Sequence, residues 1–205
     1  MTLADPAAPR VRLPREERRA QLLTAARQVF VAEGYHAASM DDIATAAGVS
    51  KPVLYQHFPG KRELYLALLE DGAEGLVNTV RQGLASTTEN KQRVPATIGA
   101  FFDFIDDQDG AFRLVFESDF TNEPVVRERV DAALTECAEL ISQAFAEDAG
   151  LGDEEAHLLA VAVTGMAQVS ARYWLGREQR LPRDTAVALI SNLAWRGIRG
   201  FPQQP

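Results

Sequence analysis

A chain of 205 residues with 46% hydrophobic and 24% charged side chains has the mix of a globular protein, which excludes a chain disordered throughout. Its formal charge of −8, taken whole, argues against a nucleic-acid binder, whose footprint is basic. Cys137 is the single cysteine, so an intrachain disulfide and a multi-cysteine zinc site are excluded and a reducing cytoplasm is the expected compartment.

Residues 1–14 read as a tail, with Pro6, Pro9 and Pro14 and no apolar periodicity. They lack the unbroken apolar stretch of a signal peptide, and no later window approaches the ~18 apolar residues of a membrane span. No membrane partner is expected. After Pro14 the pattern turns helical. Leu22, Ala26, Val29 and Phe30 form one helix face, ended by Gly34. Ser39 is a predicted N-cap with Asp42 three residues on, and Met40, Ile43, Ala44 and Ala47 make a second stripe. Gly48 breaks that helix, and Ser50 starts a third running to about Phe58, with Pro52 in its first turn.

Pro59–Gly60 precedes a long helix from Lys61 to about Ser86, roughly 38 Å at 1.5 Å per residue. Further helices are predicted at about 92–108, 111–118, 123–147, 153–176 and 183–199. No convincing period-2 run appears. The predicted fold is all-α with about nine helices, divided into a tail (1–14), an N-terminal domain (15–62) and a larger helical domain (63–205).

Three short helices within 15–58, with a tight break at Gly48, describe a helix-turn-helix. In the third, Leu54 and Phe58 share one face, while Pro52, Val53, Tyr55 and Gln56 lie on the other. An exposed Tyr and Val beside Lys51 suit a DNA groove. Val53 is placed to meet a thymine methyl, Gln56 a base edge, and Tyr55 and Lys51 phosphate oxygens. Lys61, opening the next helix, is expected to hold one more phosphate, together with that helix's free N–H groups. Its loss should flatten the salt dependence of binding by about one unit.

From Arg15 to Leu69 the chain resembles the N-terminal domain of the TetR family of bacterial transcriptional regulators. The stretch LLTAARQVFVAEGYHAASMDDIATAAGVSKPVLYQHFPGKRELYLALL carries the likeness. Phe30 and Gly34 end the first helix, Ser39 and Asp42 to Ala44 open the second, Gly48 to Ser50 make the turn, Leu54 to Phe58 the recognition helix, and Lys61 follows. Pro52–Val53 departs from the pattern, since many members carry Gly and Thr or Ala there. The resemblance implies DNA contacts from Ser39, Ser50, Lys51, Pro52, Val53, Tyr55, Gln56, His57 and Lys61. It implies a homodimer on a palindromic operator, a small-molecule effector bound by the C-terminal region, and repression as the family's commonest mode.

Beyond about residue 75 the likeness is architectural. Six of the ten phenylalanines, Phe101, Phe102, Phe104, Phe112, Phe116 and Phe120, fall within twenty residues, as a core or an apolar pocket requires. Phe101, Phe104, Phe112, Phe116 and Phe120 are the expected effector contacts, with Met166, Gln168, Arg172 and Trp174; a surface ion pair is the other reading of Arg172. The last two helices are apolar nearly all round, so each is buried on two sides. The second burial is against either this chain's own core or a partner's identical helices; the dimer is the favoured reading, through Leu158, Ala162, Gly165, Val169, Tyr173, Val187, Ile190, Leu193 and Ala194.

Enzyme readings fare worse. Glu154-x-x-His157 lacks the second copy of a di-iron motif, Asp103–Gly110 lacks the oxygen pattern of a calcium loop, and no glycine-rich phosphate loop is present. No catalytic constellation, metal site or cofactor is expected. The other class considered is a helical small-molecule-binding or catalytic protein that has lost DNA binding. The charge distribution favours the regulator: residues 1–62 carry nine basic and six acidic side chains, residues 63–205 carry 12 and 23. An acidic body repels DNA and leaves one basic face to dock.

Overall fold

The computed structural model describes residues 13–106, Gly110, Arg113, Phe120, 123–149, 151–178 and 180–197. Eight helices run through them: α1 (Arg15–Ala37), α2 (Met40–Ala46), α3 (Lys51–His57), α4 (Lys61–Ala85), α5 (Asn90–Asp106), α6 (Pro124–Ala149), α7 (Asp153–Leu175) and α8 (Arg183–Arg196). The all-α expectation holds, with eight helices among the described residues against about nine. The remaining predicted helix, 111–118, lies outside them apart from Arg113, as does the tail up to residue 12.

The N-terminal helices form where their caps and stripes dictate. Gly34 takes φ 81° and ψ 166° and kinks α1 without ending it; a further turn reaches Ala37. Ser39 and Asp42 build the predicted capping box: the Asp42 N–H donates to Ser39 Oγ at 3.2 Å, and the Ser39 N–H to the Asp42 carboxylate at 3.1 Å. Such a cap stabilises a short helix by about 1 kcal/mol. At Gly48, φ is +64°, the left-handed conformation that a side chain strains, and this turns the chain from α2 into α3.

Two apolar cores stack along the molecule. In the first, Leu22, Phe30, Ile43, Leu54, Leu64 and Leu69 are joined by Phe120 and Val126 from the C-terminal part of the chain. Leu76, Val80, Phe101, Phe102, Cys137 and Trp174 belong to the second. α4 enters both: Leu64 to Leu69 pack in the first, Ala73 to Val80 in the second. The packing therefore divides between Leu69 and Ala73, further along than the 62/63 boundary read from the motifs.

Cys137 sits in this second core, and burial, aided by Glu136, pushes its thiol pKa up to about 12. The unfolded chain releases that proton near pH 8.5, so the folded state binds one proton more between those values. Stability is thus fully present below about pH 8.5 and declines above it, by at most ~1.4 kcal/mol per pH unit from this group. Urea unfolding at pH 8 and pH 10 should show a larger loss for the wild type than for Cys137→Ala.

Candidate nucleic-acid interface and apolar cleft

The helix-turn-helix presents one face of α3 outward. Leu54 and Phe58 point into the first core, 0% and 3% exposed, and Arg19 lies over the Phe58 ring at 4.7 Å. The turn is held from behind, where Val49 N–H donates to Ala44 O at 3.0 Å and Gln21 Nε2 to Ala47 O at 3.0 Å. On the outer side Ser50, Lys51, Pro52 and Gln56 are exposed and Tyr55 is 48% exposed; Val53 and His57 are half-buried. A large aromatic left in water on a rigid short helix is poor surface for a lone protein and good surface for a groove. Lys51 pairs with the exposed Asp41, whose carboxylate raises the lysine's pKa. The pair is exposed on both sides and screened by water, so a DNA phosphate can take Asp41's place. Ser39 serves the helix itself: its hydroxyl both accepts in the capping box and donates to Asp42.

Lys61 requires a correction. Its ammonium donates to Tyr35 O at 2.8 Å, Ala38 O at 2.9 Å and His36 O at 3.2 Å, and it sits 4.6 Å over the Tyr35 ring. Its three donors all go to carbonyls at the end of α1, where partners within the helix run out and a cation is favoured. Lys61 is therefore a tie between α4 and α1 rather than a hand held out to a phosphate. Around it Tyr35 stacks on Phe120 at 3.7 Å, and Tyr65 meets both rings edge-on at 5.1 and 5.3 Å. Burial pushes the Tyr35 hydroxyl's pKa up.

An apolar cleft opens at the far end of the second core, about 450 Å³ in volume. Leu84 of α4, Val94 and Ile98 of α5, Phe145 of α6, Val163 of α7 and Trp195 of α8 form its walls, with Arg93 the one charged side chain among the described residues that line it. A smaller space of about 40 Å³ shares Thr97, Ile98, Ile141 and Val163 with the cleft and extends it inward to Phe101 and Cys137. The hydroxyl oxygens of Thr97 and Thr164 are buried here without hydrogen-bond partners.

Of the expected effector contacts, Phe101 alone lines these spaces; Phe112 and Phe116 lie outside the described residues. Phe120 is corrected to the aromatic cluster beside Tyr35, in the first core. Trp174 is buried beside Phe102 at 5.4 Å and donates its indole N–H to Leu181 O at 2.7 Å, so it is core. Phe104, Met166 and Gln168 are half-buried and Arg172 is exposed, none of them on these walls. α7 instead turns Leu159 and Val163 into the cleft, and Val163, Thr164 and Ala167 into the smaller space. The detectable signal was the Val94, Thr97, Ile98, Phe101 stripe on α5, spaced three and four apart.

The outer faces of α7 and α8 stay apolar and uncovered. Leu158 is 70%, Val169 63% and Tyr173 66% exposed, Ala162 is exposed, and a Cβ on Gly165 would meet nothing within 4 Å. Ile190, Leu193 and Ala194 are half-buried. Val187 is corrected: at 8% exposure it packs into the second core beside Gly99 of α5. Val161, Leu189 and Trp195, exposed on the same two helices, were missed. Among the described residues no helix is long and apolar enough to cross a membrane, and no group of three or more His, Cys, Asp or Glu is placed to hold a metal ion.

Comparison with known proteins agrees with this geometry. Residues 22–68 match the family described as bacterial regulatory proteins, tetR family. Over 191 residues, 93% of this chain and 87% of the relative, the protein is 48% identical to the HTH-type transcriptional activator FasR of Mycolicibacterium smegmatis. A TetR-like transcriptional regulator from Rhodococcus sp. RHA1 superposes with a TM-score of 0.69 at 26% identity, covering 93% of this chain and 100% of that one. The transcriptional regulator FadR from Bacillus subtilis, solved in complex with stearoyl-CoA, shares the fold at a TM-score of 0.72 and 17% identity, over 87% and 98% of the two chains. With an exposed recognition helix on a capped helix-turn-helix and a relative this similar along nearly its whole length, the chain belongs to the TetR family of helix-turn-helix transcriptional regulators.

Proposed function

We propose that the protein is a cytoplasmic, non-enzymatic regulator that binds a palindromic operator as a homodimer and leaves it when a long-chain acyl thioester occupies the cleft. The observation that carries the effector is the cleft itself: apolar, sharing walls with the smaller inner space, and edged by Arg93. Such a site takes an aliphatic chain with an anionic head. The fold is also that of the regulator solved with stearoyl-CoA. Leu76, Val80 and Leu84 of α4 line the cleft and its extension, so an occupant pushes on the helix whose other end packs in the first core. An effector moves this equilibrium only by binding the spread form more tightly than the DNA-bound form.

Dimerisation rests on the uncovered apolar faces of α7 and α8, which suit a two-fold bundle of four helices. On that arrangement two α3 helices read half-sites about one DNA turn, ~34–36 Å, apart. Activation rather than repression is the favoured sign, because the 48%-identical relative is named an activator. The N-terminal domain of residues 15–62 supplies the DNA contacts through Ser50, Lys51, Pro52, Val53, Tyr55, Gln56 and His57.

Selection from random duplexes should enrich a palindrome; no enrichment at low salt would favour a helical binding protein that no longer reads DNA. Stearoyl-CoA should weaken operator binding by about tenfold or more, the size of an ordinary allosteric coupling. Val163→Phe, which fills the wall shared by the two spaces, should abolish that response and leave operator affinity in place. Tyr55→Ala should weaken operator binding roughly tenfold while helicity and dimerisation persist. Lys51→Ala should lower the slope of log affinity against log salt by about one. Lys61→Ala should leave that slope unchanged and lower stability by roughly 1–3 kcal/mol, as loss of a charged hydrogen-bonding group does. A reduced slope for Lys61→Ala would restore it to the DNA contacts.

A further inference from the structure

A second cavity, of about 420 Å³, lies between the C-terminal ends of α5 and α7 and the side of α1, at the opposite end of the second core from the cleft. Its chemistry is the reverse of the cleft's. Arg113, Arg177 and Arg180 line it, with Asp106 the single acid among the described lining residues. Three arginines line one cavity in the part of the chain where acids outnumber bases 23 to 12, so the charge of the described lining residues opposes that of the surrounding sequence.

Two of the arginines are held in place. Arg180 pairs with Asp106 at 2.8 Å and stacks over Trp174 at 4.4 Å, and Arg177 lies 5.3 Å from the Tyr173 ring centre. Stacking orients a planar guanidinium without using its N–H donors, which stay available for a bidentate partner. Asp106 neutralises one arginine. Arg113 and Arg177 have no carboxylate partner among the described residues. Among the described lining residues the cavity thus has an excess of two positive charges, carried by forked guanidinium donors. A single carboxylate leaves one of those charges unanswered; two linked phosphoryl groups answer both.

We propose that this cavity is a binding site for a small diphosphate-bearing anion, separate from the acyl cleft. Its floor gives such a ligand access to the DNA-binding half. Val31 of α1 lines it, and Gly110 at φ +73° lies so close that a Cβ there would stand 2.7 Å from Val31 Cγ2. An occupant therefore touches α1 directly, on a surface that does not pass through the cleft or through α4.

The minimal probe is inorganic pyrophosphate, titrated into the full-length protein by calorimetry and followed by phosphorus NMR. Saturable binding is expected at one site per chain. Arg177→Gln is the decisive variant, because that side chain makes no ion pair among the described residues. It should weaken binding roughly tenfold or more, the effect of one charged hydrogen-bond pair. Lys91→Gln, which removes an exposed charge at the start of α5, should leave binding as it was. Val163→Phe should also retain pyrophosphate binding, which separates this site from the acyl reading.

Stearoyl-CoA and stearate, titrated against both arginine and cleft variants, distinguish the source of the diphosphate. Weaker stearoyl-CoA binding in Arg177→Gln with stearate unaffected assigns it to the thioester's head group; an unchanged response to both assigns it to a free diphosphate. The proposal is overturned if millimolar pyrophosphate gives no saturable signal, or if Arg177→Gln binds like the wild type. Equal weakening by Lys91→Gln would overturn it too, since it would mark the binding as unspecific charge attraction.

Discussion

Everything in this molecule depends on α4 being one uninterrupted helix buried in two places. Leu64, Leu68 and Leu69 are locked in the first core, and Leu76, Val77 and Val80 in the second, each 5% exposed or less. A helix of 25 residues held by close packing at both ends tilts as a body and does not bend freely. The DNA-reading half and the cleft-bearing half therefore share a rigid element, and the burial that stabilises the fold is also what couples the halves.

The N-terminal end of that helix is anchored by charge and aromatic packing together. Lys61 satisfies three carbonyls at the end of α1, and the rings of Tyr35, Tyr65 and Phe120 close around the same point. Phe120 comes from the C-terminal part of the chain, so this cluster is a second junction between the halves, beside α4 itself. Arg27 adds a third tie, reaching Asp71 of α4 at 2.6 Å from α1. α1 is thus fixed to α4 along much of its length.

Much of the N-terminal site was legible in the sequence because its determinants are local. The capping box, the Gly48 turn, the inward Leu54 and Phe58 and the outward Tyr55 all follow from residues fewer than ten positions apart. Lys61 was misread for the complementary reason. Its partners lie 23 to 26 residues away, and only the fold brings the end of α1 over the start of α4. Phe120 failed likewise: the phenylalanine cluster was real in the sequence, but Phe101 and Phe102 pack in the second core and Phe120 in the first. On α7, a shift of one or two residues in which face turns inward exchanged Met166 and Gln168 for Thr164 and Ala167, which line the inner space; Trp174, seven residues beyond Ala167, shares their inward face but packs further along, beside Phe102. Periodicity reports that a helix has an apolar face; on a helix apolar nearly all round it does not say which part faces a cavity.

By itself, the sequence determined an all-α chain, a helix-turn-helix at its start, the family to which that motif belongs, and a basic N-terminal part on an acidic body. These are sums of short-range preferences and counts, and they need no knowledge of what lies across the molecule. Tertiary structure alone decided that Lys61 faces inward, that Val187 is core while Leu189 and Trp195 are surface, and that an apolar cleft and an arginine-walled cavity occupy opposite ends of one bundle. Each of these is a matter of which distant side chains meet. That is settled by the packing of whole helices against one another, where a rotation of one helix by a single residue, about 100°, changes every contact it makes.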